Sequence, residues 1–418
     1  MEKSGKFRLT SLERNWILYD VGNSAFVLMV ATLIPIFFNA LAEAGGLSSV
    51  EYLAYWGYAS SAVTVITAVL SPILGTVADT KGFKKPIFIL CVFVGIVGCC
   101  AMGAASAWLP FLVIFVIAKV GFSGSLVFYD SMLSDVTTPE RMDEVSSRGY
   151  AWGYIGSCVP FVVCLGLVLG AGSIGISQMT ALNLALLLTA AWWLLTSLPL
   201  LKSYKQLYYV EVEKHAVRQS FARIGHTLRH LPEDKQVFWF LLAFFCYIDG
   251  VYTIIDMATA YGTALGLDTT GLLLALLVTQ IVAFPSALIF GRLSNRYPSA
   301  KLIPVCIAAY AGIAVFAFFL TQQWQFWVLA VIVGMFQGGV QALSRSHFAK
   351  IIPPEKSGEY FGLFDICGKG ASFLGTMIVS VGSQLTGSAN VGVGSLIVLF
   401  IVGFVLFRVS CKKEVVPE

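Results

Sequence analysis

Charge is what this chain has least of. Only 12% of its 418 residues are Asp, Glu, Lys or Arg, while 57% are hydrophobic; soluble domains carry about 25% charged residues. The shortage excludes a water-soluble domain and implies an integral membrane protein. Four histidines are too few and too scattered for a metal site. His226 and His230 have ligand-like spacing, but they sit in a basic amphipathic segment with no third ligand nearby. The nine cysteines include no C-x-x-C pair, and eight lie in apolar runs, where they act as small fillers. The sequence holds no phosphate-binding loop and no nucleophile elbow. Neither an enzyme, a metal nor a cofactor is expected.

Long apolar runs are what the chain has instead. They fall near 15–41, 52–78, 86–106, 109–134, 148–171 and 179–200, then near 236–262, 270–291, 300–321, 325–349, 359–385 and 391–409. Each approaches or exceeds the ~20 residues that cross a bilayer. A net charge of +4 does not mark a nucleic-acid binder, because 25 of the 27 lysines and arginines fall in the two termini and in alternate connections. By the positive-inside rule both termini and the central loop are cytoplasmic. Ala40-Leu41-Ala42 resembles a signal-peptide cleavage site, but the run before it is too long, and cleavage would leave an odd number of spans. The two remaining cations, Lys119 and Lys369, lie within spans.

The densest polar chemistry at membrane depth runs from Gln337 to Lys369. Gln337, Gln341 and Arg345 recur every fourth residue and form one stripe on a helix. Pro353-Pro354 ends that helix. On the next, Asp365 and Lys369 are four apart, acid first, where a helical ion pair meets. Ionisable groups inside a span are costly and line a solute or ion path by default; a satisfied structural network is the alternative. Counting about 1.5 Å per residue places Lys119, Gln280 and Lys369 about 15 Å deep and Asp249 and Gln337 about 20 Å deep. Asp249, Tyr252 and Asp256 repeat on one helical face. A poorly solvated Asp249 would exchange protons near neutral pH, or would pair with Lys119 or Lys369 and merely join two parts of the fold. Asp20 and Asn23, three apart on the first span, lie nearer the entrance. Asp130 and Asp135 are gate or structural acids.

The two sets of six spans look like repeats. After the second span comes Gly75-Thr76-Val77-Ala78-Asp79-Thr80-Lys81-Gly82-Phe83-Lys84-Lys85; after the eighth, Gly291-Arg292-Leu293-Ser294-Asn295-Arg296 continues to Lys301. This resembles the signature loop of the major facilitator superfamily, with Asn295 where the first copy has Asp79. Tyr19-Asp20-Val21-Gly22-Asn23-Ser24-Ala25, Ser146-Ser147-Arg148-Gly149-Tyr150-Ala151-Trp152-Gly153-Tyr154, Gly338-Gly339-Val340-Gln341-Ala342-Leu343-Ser344-Arg345-Ser346 and Phe361-Gly362-Leu363-Phe364 resemble the vacuolar amino-acid effluxer-like branch of that superfamily. Val21 stands where the branch usually has Trp, and Tyr129-Asp130 where it tends to Tyr-Asn.

The resemblance implies an all-α membrane protein of twelve helices in two six-helix halves, 1–200 and 236–418, joined by a cytoplasmic linker, 201–235. Val217, Phe221, Ile224, Leu228 and Leu231 give that linker one apolar stripe, read either as a helix on the membrane surface or as a solvated connector. Spans 1, 4, 7 and 10 would line the cavity, placing Lys119, Asp249 and Gln337 there. The expectation is a proton-coupled secondary transporter, a symporter or antiporter of the bacterial plasma membrane, monomeric, in contact with lipids but not nucleic acid. Its solute would be small and zwitterionic or anionic, an amino acid or short peptide. Asn23, Lys119, Gln280, Gln337, Gln341, Arg345 and Lys369 would bind it. Asp249, Asp20 and Asp365 would couple protons. Gly75, Asp79, Gly82, Lys84, Lys85, Asp130 and Arg148 would form the gating or structural motif. A lipid flippase and a receptor that binds without flux are the alternatives.

The topology is directly testable. Cysteines introduced at Ser106 and Gly387 should react with an impermeant maleimide on intact cells, and one at His215 should not; external labelling at His215 would overturn the twelve-span arrangement.

Overall fold

In a computed structural model, the chain is helical nearly throughout. The structure describes residues 7–211, 225–227 and 229–412, with the backbone alone at 49, 50, 53, 259, 260, 264, 269, 270, 273 and 369–373. Among the described residues, eleven helices are long and apolar enough to cross a membrane. Ser357–Thr386 is a further helix of thirty residues, packed along Ser49–Ala78 and Lys235–Ala264, and completes twelve.

In order, the first six spans are Ser11–Ala44, Ser49–Ala78, Lys84–Gly103, Trp108–Ser131, Met142–Leu169 and Gln178–Ser203. The second six are Lys235–Ala264, Thr269–Ser294, Ser299–Phe318, Gln323–Ile351, Ser357–Thr386 and Ala389–Lys412. Two spans expected to be continuous are broken. The first divides at Thr32 into Ser11–Ala31 and Leu33–Ala44, because Pro35 has no N–H to bond the Ala31 carbonyl. The twelfth divides into Ala389–Gly394 and Ile397–Lys412, after a run in which Gly392 and Gly394 weaken helix propensity. Of the stripe expected in the linker, Val217, Phe221, Ile224 and Leu228 lie outside the described residues.

Packing follows the repeat. The first span lies against the fifth and sixth and the third against the fourth; the seventh lies against the twelfth and the eighth against the tenth. The two halves meet where the second span crosses the eleventh and the fifth crosses the eighth and tenth. Glycine sets these crossings. A Cβ on Gly75 would come within 2.1 Å of the Gly358 carbonyl oxygen, one on Gly362 within 2.7 Å of the Pro72 Cα, and one on Gly291 within 2.8 Å of the Ser147 Cβ. At Gly75 and Gly362 backbone therefore meets backbone, and at Gly291 backbone meets a small serine side chain, as close helix packing in a membrane requires. All three contacts lie toward the end where the loop cations cluster. At the opposite end, Leu33–Ala44 packs chiefly on spans of its own half. The fold is thus closed at its cation-rich end.

Candidate functional site

Between the halves is a cavity of ≈370 Å³, within the range of small-molecule sites. Residues of both halves line it: Asp20, Asn23 and Asp130 from one, Asp256, Gln280, Gln337, Gln341, Arg345 and Asp365 from the other. Tyr129, Tyr150, Tyr154 and Tyr252 supply an aromatic wall.

Arg345 closes its floor. It is 2% exposed. Its Nη1 donates to Asp130 Oδ1 at 2.9 Å and lies 3.8 Å from Asp20 Oδ2. Its Nε donates to the Ser146 hydroxyl at 2.9 Å and its Nη2 to the Ser146 carbonyl at 3.0 Å. The guanidinium plane rests against Tyr150, 4.3 Å from the ring centre, and Trp16, 4.7 Å away. Trp16 is fixed in turn by stacking on Tyr129 at 4.3 Å and by donating its indole N–H to the Tyr129 carbonyl. Gly149 makes room: a Cβ there would meet Asp20 Oδ2 at 3.0 Å and Arg345 Nη2 at 3.1 Å. One cation on the tenth span thus holds the first, fourth and fifth, a use of the planar fork that a lysine could not reproduce.

Above that floor, the Tyr154 hydroxyl donates to Gln341 Oε1 at 3.0 Å across the halves. Gln337 is 4% exposed, and its Oε1 has no hydrogen-bond partner among the described residues. Asn23 donates to Asp20 Oδ1 at 3.4 Å.

The seventh span departs from expectation. Asp249 does not line the cavity. It is fully buried against the eleventh span, where its Oδ1 accepts the Gly375 N–H at 2.9 Å and the Thr253 hydroxyl at 3.3 Å. Gly375 is needed there because a Cβ would meet that oxygen at 2.7 Å. Two helical turns on, Asp256 takes the cavity position, and Lys119 is the cation whose field reaches it. Lys119 itself rests on the Phe122 ring at 4.8 Å rather than in the lining. The face reading was correct in placing Asp249, Tyr252 and Asp256 together, but counting depth could not tell which end of that face turns inward. The side chain of Lys369 lies outside the described residues; Asp365, its expected partner, accepts the Ser71 hydroxyl across the halves at 2.7 Å.

The signature loop reaches the other half. Asp79 caps the eleventh span, accepting the N–H groups of Gly358 at 2.7 Å and Glu359 at 2.8 Å, where an acid satisfies orphan donors and the helix dipole together. Lys84 is fully buried between two acids, 3.8 Å from Asp79 and 3.4 Å from Asp135, and donates to the Ser357 hydroxyl at 2.9 Å. The second copy makes the related contact, with Asn295 donating to Glu144 Oε2 at 2.7 Å near the start of the fifth span. Asn295 serves where the first copy has Asp79 because Glu144 supplies the acid from the partner helix. Gly82 turns the loop at φ +80°. Arg148 pairs with Glu144 on its own helix, and Lys85 donates to the Tyr204 carbonyl at 3.1 Å. Ser71 and Trp16 carry no signal as site residues, since an isolated serine or aromatic beside an apolar run has none of its own, and Tyr150 stands in a motif without a role assigned to it. Ser146 opened a motif, but nothing in the sequence tied it to Arg345.

A family model described as "Vacuole effluxer Atg22 like" matches residues 11–142 and 134–414. The chain belongs to that family. It is 42% identical over 404 residues to the MFS-type transporter YxiO of Bacillus subtilis (strain 168), covering 96% of this chain and 94% of that one. It is 25% identical over 314 residues to Autophagy-related protein 22 of Coccidioides immitis (strain RS), covering 64% of this chain and about half, 51%, of the fungal protein. Among solved structures, the human organic anion transporter MFSD10 superposes with a TM-score of 0.71 at 14% identity, covering 95% of this chain and 98% of that one. The fold is therefore the major facilitator fold, with its two six-helix halves. Members of this superfamily move solutes across membranes and are not enzymes.

Two expectations follow from this geometry. Arg345→Ala leaves two largely buried acids without their cation, so it should cost about 3–5 kcal/mol, the usual penalty for breaking a buried pair, seen as a lower melting temperature in detergent. Arg345→Lys should recover little transport because one ammonium cannot serve Asp130 and both Ser146 acceptors. Full transport by the alanine variant would remove Arg345 from the site.

The second concerns pH. Burial pushes the Asp79 carboxyl up to about 7, outweighing Lys84 and the two backbone N–H groups. A carboxyl with a higher pKa docked than solvated binds protons more tightly when docked. Its contribution to docking is therefore fully present below about pH 4, falls as pH rises, and is lost above about 7. Spin labels at Phe83 and Glu355, on either side of the contact, should show the short-distance population growing as pH falls from 8 to 5, as the linkage requires. Asp79→Asn should flatten that response.

Proposed function

We propose that the chain is a proton-coupled secondary transporter of a small zwitterionic or anionic solute, an amino acid or short peptide, working by alternating access. The observation that carries this reading is the cavity between the halves, where acids, a cation and amides from both halves converge beside a floor already closed by Arg345. Residues 1–200 and 236–418 are the moving bodies, joined by 201–235. The positive-inside rule puts the closed, cation-rich end and both termini in the cytoplasm of a bacterial plasma membrane. Glycine-on-backbone crossings suit such motion, because they separate without unpacking large side chains. One copy of the chain contains the whole site, which suits a monomer.

Within the cavity we assign solute contact to Gln280, Gln337 and Asp256, with Lys119 tuning Asp256 from behind. The unpartnered Gln337 Oε1 is a ready acceptor for a solute ammonium or amide N–H. Arg345 and Asp130, with Asn23 and Asp20 beside them, lock the cytoplasmic end. A solute carboxylate competing for Arg345 would release that lock and so couple binding to opening. Asp256 replaces Asp249 as first candidate for coupling because it faces the cavity; Asp20 and Asp365 are held in contacts that join helices.

The test uses protein reconstituted into liposomes with radiolabelled amino acids and dipeptides. Asp256→Asn mimics the protonated form, so it should keep counterflow exchange and lose accumulation driven by a pH gradient. If Asp249→Asn loses accumulation and Asp256→Asn keeps it, coupling resides between the seventh and eleventh spans instead. If no amino acid or peptide exchanges in the unsubstituted protein, the substrate class is wrong.

A further inference from the structure

The signature loop and the first residues of the central loop line an open groove of ≈660 Å³, apart from the cavity between the halves. Lys81, Lys85 and Lys205 wall it, with Tyr204 and Tyr209 beside them and Ile89 at its base. The groove is built, not incidental. Its outer wall is a strap, Tyr204–Val210, laid on the loop: Val210 N–H donates to the Asp79 carbonyl at 2.8 Å, and Lys81 N–H to the Val210 carbonyl at 3.3 Å. Gln206 accepts from the Gly82 N–H at 3.0 Å and donates to the Ala78 carbonyl at 3.1 Å. Asp135 fastens the strap from below, accepting the N–H groups of Leu207 and Tyr208, each at 2.9 Å.

The groove carries surplus positive charge. Glu211 lies 3.2 Å from Lys81, but both side chains are largely exposed, at 74% and 61%, where an ion pair is weak. Lys205 is exposed, and Lys85 spends its donors on the carbonyls of Tyr204 at 3.1 Å and Lys202, at the end of the sixth span, at 3.5 Å. Below the lysines the surface turns apolar. Ile89, Phe93 and Val97 follow at i, i+4 and i+8 on the third span, and all three are exposed. They form a lipid-facing stripe beginning about 7.5 Å beyond Lys84 by helical rise. Cations at headgroup level above an exposed hydrocarbon stripe match one ligand chemistry: a phosphodiester anion with an acyl chain attached.

We propose that this groove binds the headgroup of an anionic phospholipid, its phosphate held by Lys81 and Lys205 and one acyl chain lying along Ile89, Phe93 and Val97. The strap ends on the backbone of Asp79 and the carboxylate of Asp135, the two acids that flank Lys84 at the junction of the halves. An occupied groove keeps the strap seated and so favours the state closed at the cation-rich end. A free phosphate would find the same lysines but gain nothing from the stripe.

The test is thermal unfolding of the full chain in neutral detergent, with added phosphatidylglycerol, phosphatidylcholine of the same acyl chains, or sodium phosphate. A ligand bound only by the folded state raises the melting temperature, so phosphatidylglycerol should raise it by several degrees and the other two should not. K81Q/K205Q should lose most of that rise; R296Q/K301Q, which removes charge from the second signature loop, should keep it. An equal rise with phosphatidylcholine, or with phosphate alone, overturns the assignment, as does a full rise in K81Q/K205Q. Native mass spectrometry of folded K81Q/K205Q is the second readout: retained phosphatidylglycerol at the occupancy of the unsubstituted chain also overturns it, whatever the variant's stability.

Discussion

A guanidinium without water must find partners for its charge and its N–H groups, and that requirement organises this molecule. Arg345 meets it with Asp130, Asp20 and both polar atoms of Ser146, under the rings of Trp16 and Tyr150. Because those partners come from the first, fourth and fifth spans and Arg345 from the tenth, satisfying one side chain draws the halves together. Taking Arg345 away strands two largely buried acids, which costs more than the intact pairs contribute. The contact is therefore strong while it is complete and intolerant of partial separation.

The same logic is repeated at smaller scale beside it. Lys84 stands between Asp79 and Asp135, so one cation serves two acids and Asp79 is left partly uncompensated. Its carboxyl also accepts backbone N–H groups at the start of the eleventh span, and burial still outweighs Lys84 and those bonds together. Charge, capping and glycine contact thus converge within a few residues, Gly75 to Lys84 on one half and Ser357 to Gly362 on the other. The second signature loop solves the equivalent problem with Asn295 and Glu144, moving the acid to the partner helix without losing the hydrogen bond. A degenerate motif is in this case a relocated one.

Above these contacts the cavity keeps groups that the closed state does not consume. Gln337 has an unpartnered oxygen and Asp256 faces open space, whereas Asp249 and Asp365 are engaged with neighbouring helices.

Composition and cation placement alone determined that the chain crosses a membrane about twelve times, and the paired loops with their glycines led to the fold now observed. Those properties are local: hydrophobic length, charge within a loop and the absence of a Cβ are written residue by residue. The polar stripe of Gln337, Gln341 and Arg345 was legible for the same reason, since helical periodicity places them on one face. What only tertiary structure decided is which partners that face meets. The break at Thr32, the turn of Asp256 rather than Asp249 toward the cavity, and the claim of Ser146 on Arg345 all depend on how helices distant in sequence rotate and cross. A side chain's function inside a membrane depends on whether a neighbouring helix satisfies it, and that neighbour is chosen by packing between helices, which no single stretch of sequence records.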